Sequence, residues 1–352
     1  LNVLFDTVAS TQFHDTIDGF KGDSVTALYQ YGEQKKLAQG FADANLAASQ
    51  SGTFQGFEGY KIFAVSIGMM VGVQLPSSDF GVINDLSTTV KDDPDVYMGV
   101  APSVSVNVGF NLGKLLGGSA KKFYVNVKGG VYNGSYDSSD STFDMKSTTL
   151  GLGVNYQLLP PINFGLGLVK WRGLSIGSGV TYQRNTFDSN TTLDPITEVY
   201  TMTETVGSGP YSGTITPEVT LTTTPKINIG VDMKTISIPL EALTSMQVLW
   251  VLNVNVGVGA DLVFGKSEIT ATSTSEMVVT DVSVNGTSVN YTVDTPGSVT
   301  VDASTTGIKP TLARARVMGG LGINAGPFKF DVPMYYYFSS GYAVGMTVGF
   351  VW

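Results

Sequence analysis

The 352-residue sequence predicts an all-β protein: a single antiparallel transmembrane β-barrel of about ten strands, whose lumen is plugged by an N-terminal, partly helical segment. Three observations predict this class. Apolar residues alternate with small or polar ones over long segments, aromatic residues gather near the segment ends, and only 14% of the side chains are charged. This combination is typical of strands that face lipid on one side and a barrel lumen on the other.

The alternation is clearest in Phe63–Gln74, where every second residue is apolar and the residues between them are mainly small or polar. A helix would scatter these apolar residues around its axis, whereas a strand collects them on one face. The alternating runs are also far longer than the usual strand of about 5 or 6 residues. The ten predicted strands are 60–75, 96–113, 121–135, 143–158, 172–186, 216–233, 248–268, 310–324, 327–338 and 342–352.

A large soluble β-sandwich would alternate as well, but its strands rarely exceed about 10 residues. The less apolar face of the predicted strands carries Gly, Ser, Asn and Thr, with few of the Lys and Glu residues that solvate an exposed sheet. Aromatic residues near the strand ends predict the girdles of a membrane barrel. They are Tyr60, Tyr97, Tyr156, Tyr182, Trp250, Tyr342 and Trp352.

The connections predict which end of the barrel faces outward. Bacterial barrels have long outer loops and short periplasmic turns, and an even number of strands places both termini on the periplasmic side. We therefore expect loops 76–95, 187–215 and 269–309 at the outer surface. The predicted periplasmic connections are 114–120, Pro160–Trp171, Ile238–Gln247 and 325–326, with one helical turn at 239–243. A strand at Ile162–Val169 would raise the count, so 12 to 14 strands remain an alternative.

The longest outer loop contains a predicted β-hairpin. Residues 277–284 and 288–293 alternate, and Asn285-Gly286 between them favours a type I′ turn. The hairpin is expected to be either steric cover or a binding tip above the membrane.

Residues 1–59 lack the alternation and form the first predicted domain, followed by the barrel at 60–352. A weak apolar stripe in 24–48 predicts one or two short helices. The lumen face of the barrel is rich in glycine, which leaves room for the N-terminal segment as a plug. A ligand, a water channel, or barrel curvature are alternative reasons for the glycines. If the plug prediction holds, Gly257 and Gly259 are expected to face it.

Alternation also places seven charged residues in the lumen, where unpaired charges are costly. Arg314 and Arg316 share one face and could clamp a carboxylate of an anionic ligand. The alternative is an internal salt-bridge network with Asp261 or Asp232. The predicted lumen charges are Lys128, Glu218, Lys226, Asp232, Asp261, Arg314 and Arg316.

Composition removes several function classes. The absence of Cys and the single His14 argue against thiolate or His-pair metal sites, against most acid–base relays, and against the known outer-membrane enzymes. We therefore expect no enzyme, metal or cofactor. A net charge of −9 argues against a nucleic-acid partner, because phosphates require a basic surface.

The C-terminal segment resembles the C-terminal signal of bacterial outer-membrane proteins, a last alternating strand that ends in an aromatic residue. The residues that carry this resemblance are Tyr342, Val344, Met346, Val348, Phe350 and Trp352. The resemblance implies insertion by the barrel-assembly machinery into the outer membrane of a Gram-negative-type bacterium, with outer-membrane lipid around the barrel.

The order of parts resembles that of the long-chain fatty-acid transporter family, in which an N-terminal hatch occupies the barrel and hydrophobic substrates leave laterally. The Asn-Pro-Ala motif of that family is absent, and Asp43–Ala47 is at best a remnant of it, so no binding residues are transferred. The segment Lys170–Gly173 also resembles uncharacterised outer-membrane barrels of spirochaetes and Bacteroidetes.

Ten strands are too few for a general porin, which needs roughly 16 to 18. The sequence favours a plugged, porin-like barrel for passive uptake of small hydrophobic compounds, with such a compound as ligand. The alternative is a non-transport barrel that serves as a surface-loop anchor, an adhesin or a partner-binding component of an envelope complex.

Overall fold

The structure is a computed structural model that describes residues 35–53, 62–77, 96–164, 168–201, 204–206, 213–288 and 297–352. His14, Tyr60, most of the predicted loop 76–95 and the start of the predicted N-terminal helix lie outside these residues. Within the described ranges, no helix is long and apolar enough to cross a membrane.

The described part of the chain consists mainly of β-strands. In chain order, its elements are α1 (Lys35–Ala48), β1 (Phe63–Gln74), β2 (Gly99–Asn111), α2 (Leu112–Leu116), a 3-10 helix (Gly118–Lys122), β3 (Phe123–Asp137), β4 (Ser141–Leu159), β5 (Ile162–Phe164), β6 (Val169–Thr192), β7 (Ile196–Thr201), β8 (Glu204–Val206), β9 (Gly213–Ile215), β10 (Pro217–Val248), β11 (Leu252–Val284), β12 (Thr287–Ser288), β13 (Gly297–Ile308), β14 (Ala313–Ala325), β15 (Phe328–Tyr337) and β16 (Gly341–Val351).

Ten of these strands form a closed antiparallel ring, in the order β1-β2-β3-β4-β6-β10-β11-β14-β15-β16. The ring closes where β16 pairs with β1, from Ala64–Val351 to Gln74–Gly341. Closure leaves no ring strand as a free edge of the sheet, so that each ring strand pairs with a neighbour on both sides. The prediction of a ten-stranded barrel is confirmed, and each predicted segment overlaps one ring strand.

In several ring strands the two faces have opposite surroundings. In β1, Ile67 and Met69 point outward and are more than half exposed, whereas Ser66 and Met70 are almost fully buried. The same alternation continues in β2, β14 and β16. The outer face therefore carries an apolar belt, and the inner face carries small and polar side chains together with buried large ones such as Met70, Met233 and Tyr335.

One predicted turn is wrong. Residues 238–247 belong to β10, which runs on to Val248, and the chain turns at Leu249–Val251. Neither the turn nor the helical turn at 239–243 exists there. Pro239 is accommodated because the β6–β10 register has no pair at Ile238 or Pro239, so no ladder bond from a proline N–H is needed.

The predicted outer loops 187–215 and 269–309 contain more strand than expected. β6 continues to Thr192, β11 continues to Val284, and β13 returns along β11 from Gly297 to Ile308. β7 pairs with the first residues of β10. We name the sheet formed by β7, β12, β13, residues 217–228 of β10 and residues 272–284 of β11 the surface ribbon.

The hairpin predicted within this region is confirmed as far as Ser288. Asn285 and Gly286 have φ angles of 49° and 76°, the left-handed conformation that a type I′ turn requires. β12 then pairs with the end of β11. Residues 289–293 of the predicted second strand lie outside the described residues.

Helix α1 lies inside the ring. Its first residues, Lys35 and Lys36, are exposed, and it becomes fully buried from Ala42 onward. It contacts β1, β2, β10, β11 and β16, and therefore touches strands on opposite sides of the lumen. The helical part of the N-terminal prediction is confirmed.

We use "short-turn end" for the end of the barrel where Leu249–Val251 and the C-terminus lie; the surface ribbon extends from the other end.

Candidate functional site: the occupied lumen

Helix α1 approaches the barrel wall closely because both surfaces are built from small residues. A Cβ atom added at Gly72 would lie 2.6 Å from the Ala48 nitrogen, and one at Gly99 would lie 2.5 Å from the Gly40 carbonyl carbon. Real Cβ atoms do not come this close to backbone atoms. These wall positions therefore require glycine as long as the helix is in place.

Gly257 and Gly259 are predicted to face the N-terminal segment, but they do not contact α1. A Cβ at Gly257 would meet the side chains of Leu243 and Met318, and one at Gly259 would meet the Leu240 carbonyl at 2.9 Å. Both glycines are packed against neighbouring wall strands. Inward side chains on β10 and β14 fill the space beside them, so neither position faces the described part of the N-terminal segment, residues 35–53.

Asn45 links α1 to two strands on one side of the wall. Its Nδ2 donates to the main-chain oxygen of Gln183 at 3.1 Å and to Oγ1 of Thr235 at 2.9 Å. Its Oδ1 accepts from Nδ2 of Asn185 at 2.8 Å. All of these side chains are buried. The amide of Asn45 is thereby satisfied by β6 and β10 without water.

The turn after α1 is fixed to the opposite side of the wall. The Ser51 hydroxyl lies 2.7 Å from the hydroxyl of Ser103 and 2.9 Å from that of Ser105, both on β2. Ser66 of β1 donates to the Gly52 carbonyl at 2.6 Å. Lys128 of β3 donates from Nζ to the Ser49 carbonyl at 2.5 Å. Residues 49–52 are therefore held by three successive strands.

Asp43 is the centre of a buried polar cluster near the end of the barrel from which the surface ribbon extends. Its carboxylate accepts from the main-chain N–H of Thr311 at 2.9 Å and from the Thr311 hydroxyl at 2.7 Å. Tyr97, which precedes β2, donates from its hydroxyl to the same carboxylate. Burial, and next the negative charge of Asp43, raise the pKa of Tyr97, so its hydroxyl stays protonated and remains a donor.

The positive partner of Asp43 is Arg314. Nη1 of Arg314 lies 3.8 Å from the Asp43 carboxylate and donates to the Asp43 carbonyl at 3.0 Å. Its Nη2 donates to Oε1 of Gln74 at 2.6 Å, and the guanidinium lies over the ring of Tyr337 at 4.6 Å. The carboxylate nearest to Arg314 therefore belongs to α1, whereas Arg316 pairs with different carboxylates.

Arg316 forms a second buried network within the wall. It donates to Asp261, to Glu241 at 2.9 Å and to the Tyr337 hydroxyl at 3.3 Å. The side chains of Arg316 and Asp261 are fully buried. This network corresponds to the predicted internal salt bridge with Asp261. Lys128, Asp261, Arg314 and Arg316 all lie in the lumen, as their alternation indicated.

Three predicted lumen charges, Glu218, Lys226 and Asp232, face outward, so this part of the prediction is wrong. Asp232 pairs with Arg184 at 2.8 Å, with both side chains at least 40% exposed, and Lys226 lies 3.8 Å from Glu276. Glu218 accepts from the Ser283 hydroxyl at 3.3 Å. The physical reason is that the apolar residues of this part of β10, such as Met233, point inward and pack on α1.

Three lumen charges besides Asp43 were not predicted. Glu241 falls in the predicted turn, although its spacing from Leu243 and Ser245 continues the inward face of β10. Lys329 and Asp331 form a buried pair at 3.3 Å on β15. The sequence could have predicted this pair, because both residues lie an even number of positions from the buried Tyr335 and Tyr337 and therefore share their face of the strand.

The residues of the C-terminal signal lie on the outer face of β16. Val344, Met346 and Val348 are about half exposed, and the rings of Phe350 and Trp352 stack at 6.2 Å. The Trp352 main chain is bonded to Ile62 and Phe63 at the ring closure. Their role in assembly remains a prediction.

A small cavity lies beside the turn that follows α1. This cavity of about 40 Å³ lies between the residues that follow α1 and the wall strands β3, β4, β6 and β10. Its lining includes Gln50, Lys128, Asn155 and Glu241. A polar cavity of this size holds one or two water molecules.

A closed antiparallel ring with an apolar outer belt defines a bacterial outer-membrane β-barrel. The chain belongs to the Lsa36-like family, whose pattern matches residues 10–352. No curated protein matches the chain significantly.

Several solved barrels align with most of the chain at very low identity. The translocator domain of the autotransporter NalP from Neisseria meningitidis is 9% identical with a TM-score of 0.29, and the alignment covers 98% of each chain. The Ralstonia pickettii toluene transporter TbuX is 8% identical with a TM-score of 0.28, covering 90% of this chain and 99% of that one. CarO of Acinetobacter baumannii is 11% identical with a TM-score of 0.26, covering 82% and 97%. Values this low assign no activity, and the resemblance to the long-chain fatty-acid transporter family stays a prediction.

Proposed function

We propose that this protein is a permanently plugged outer-membrane barrel that anchors the surface ribbon, where a partner protein binds, with both termini in the periplasm. The single observation that carries this proposal is the way α1 is held. Asp43, Asn45 and Ser51 bond to opposite sides of the wall through buried side chains.

Removing α1 from the lumen would be costly. Arg314 would lose the carboxylate that neutralises it, and a buried charge without its partner typically costs about 3–5 kcal/mol. Each further buried donor or acceptor left without a partner adds about 1–3 kcal/mol. These costs support a lumen that stays closed, in contrast to one that opens for each solute molecule.

The surface ribbon supports the partner-binding role. β10 and β11 have 32 and 33 residues, far more than the 9–11 or so that a transmembrane strand needs. Its outward side chains are polar, with contacts such as Thr222–Thr197 at 3.2 Å and Thr222–Thr280 at 3.3 Å. A long, solvated, hydrogen-bonded sheet is a rigid platform for protein contacts.

Site-specific photo-crosslinking in intact bacteria tests the proposal. A photoreactive amino acid is placed at Ser298 on β13 or at Val199 on β7, both exposed positions of the surface ribbon. The matched control places it at Ala325, an exposed position of the short-turn end. We expect the ribbon positions, and not Ala325, to give a discrete protein adduct. Absence of an adduct from every ribbon position would contradict the proposal.

Passive uptake of small hydrophobic compounds is the second candidate function. The observation that favours it is the 40 Å³ cavity beside Gln50 and Lys128, because it shows where packing of α1 against the wall is incomplete. The cavity is too small and too polar for a hydrophobic compound. Uptake therefore requires α1 to move, against the contacts of Asp43 and Asn45 described above.

Proteoliposomes separate the two functions. The proteoliposomes enclose an acceptor for a solvatochromic hydrophobic dye. Entry of the dye is compared between proteoliposomes that contain the intact protein and liposomes without protein. The anchor function predicts equal rates in both. Faster entry with intact protein, lost when α1 is tethered to the wall by a disulfide, would establish uptake.

A further inference from the structure

The outer surface of the barrel has a hollow in its apolar belt, at β4, β6, β10 and β11. We name it the outer groove. It has a volume of about 600 Å³, and Val154, Ile176, Leu240 and Val258 form its sides. Ser178 and Ala242 form its floor. Most of the belt consists of large aliphatic side chains, so a hollow here is a departure from its surroundings.

The groove follows from small residues on neighbouring strands. Ile176 stands opposite Ala242, and Ser178 stands opposite Leu240 in the β6–β10 register, so a large side chain faces a small one in each pair. Immediately beyond Leu240, Pro239 and Ile238 have no partners in β6. The wall is therefore depressed next to an interruption of its hydrogen-bond ladder.

One end of the groove has a different chemistry from the rest. Phe123 and Tyr156 line it at the short-turn end, and their ring centroids are 4.8 Å apart. Nζ of Lys122 lies 5.8 Å from the centroid of the Tyr156 ring. Aromatic rings and lysines occupy the membrane interface, where lipid headgroups lie. The groove thus runs from a cationic, aromatic end into the apolar belt.

We propose that the outer groove is a binding site for one anionic phospholipid. An acyl chain lies along the floor at Ser178 and Ala242, and the phosphate lies at the ammonium group of Lys122. The apolar sides match a hydrocarbon chain, and the ammonium group of Lys122 at the interfacial end matches the phosphate. This site is independent of what the surface ribbon binds.

Native mass spectrometry of the full-length protein tests the proposal. The protein is purified in detergent, titrated with phosphatidylglycerol and, separately, with phosphatidylcholine, and the bound lipid is counted. We expect one tightly bound phosphatidylglycerol and weaker binding of phosphatidylcholine. Equal affinity for the two lipids, or no saturable binding, would overturn the proposal.

Filling the groove tests its location. Ala242→Phe places a ring on the floor, and Ala315→Phe introduces the same ring at an exposed position of β14 outside the groove. We expect Ala242→Phe to abolish the tight site and Ala315→Phe to retain it. Ser178→Leu, on a neighbouring strand, is the second filling variant if Ala242→Phe does not fold, as judged by heat-modifiable gel mobility. Tight binding by a folded, filled variant would overturn the proposal.

Neutralising the lysine tests the headgroup contact. Lys122→Gln should weaken phosphatidylglycerol binding about fivefold, since one lysine near a membrane surface contributes about that factor. Lys121→Gln removes the neighbouring exposed charge, which is not part of the proposed site, and should change the affinity by less than about twofold. If the two variants have equal effects, Lys122 does not hold the phosphate and the proposed site is wrong.

Discussion

Arg314 on β14 and Asp43 on α1 form an ion pair in which both side chains are almost completely buried. Nη1 of the arginine lies 3.8 Å from the carboxylate and donates to the Asp43 carbonyl at 3.0 Å. The pair connects the helix inside the barrel to the strand that follows the surface ribbon. The charge that fixes the helix is therefore supplied by the wall.

Asp43→Ala is expected to lower the free energy of unfolding by about 3–5 kcal/mol, because it leaves Arg314 buried without its carboxylate. Urea unfolding in lipid vesicles measures the change. Asp302→Ala is the control, because Asp302 is exposed and accepts a hydrogen bond from Thr272 at 2.7 Å. Equal losses for the two variants would show that the buried pair has no special role.

Gly72→Leu is expected to destabilise the protein by about 1–3 kcal/mol, because the new side chain overlaps the backbone of α1. Gly319→Leu, on a wall position with open space around it, should be tolerated. Deleting residues 1–55 should remove the difference between the variants, since the overlapping helix is then absent. If the two variants still differ in stability without the helix, the side chain at position 72 does not overlap α1 and this explanation is wrong.

The predicted orientation is tested by cysteine labelling, which is specific because the chain has no cysteine. Thr287→Cys, at the tip of the hairpin in the surface ribbon, should react with a membrane-impermeant maleimide on intact cells. Ala325→Cys, at the short-turn end, should react only after lysis. The reverse labelling pattern would show that the short-turn end, and not the surface ribbon, faces outward.

Trp352→Ala is expected to slow assembly into the outer membrane, because the terminal aromatic residue belongs to the C-terminal signal. Thr347→Ala is the comparison on the same strand, since Thr347 is buried on the lumen side. Pulse-labelling followed by heat-modifiable gel mobility gives the rate of barrel formation. Similar rates for the two variants would argue against the signal.

The ring could be predicted from the sequence because lipid selects apolar residues at every second position. Ile67 and Met69 obey that rule, as do Val344 and Met346 in the last strand. The ten predicted segments overlap the ten ring strands for this reason.

The interior could be predicted only in part. Met233 is apolar because it packs on α1. A prediction that turns every apolar residue of a strand towards lipid therefore places Met233 on the outer face. The same prediction places the neighbouring charged residues in the lumen. Pro239 favours a turn because its missing N–H normally ends a central strand, whereas here the adjoining ladder is interrupted. Asp43 carries no signal in the sequence, since its partners Thr311 and Arg314 are remote along the chain.

The measurement that tests the central claim most directly is planar-bilayer conductance of the intact protein and of the same chain without residues 1–55. If α1 permanently closes the lumen, the intact protein gives no steady ion current, and the shortened chain, once shown to fold, gives discrete open-channel steps. Steady steps of equal size from both proteins would contradict the account.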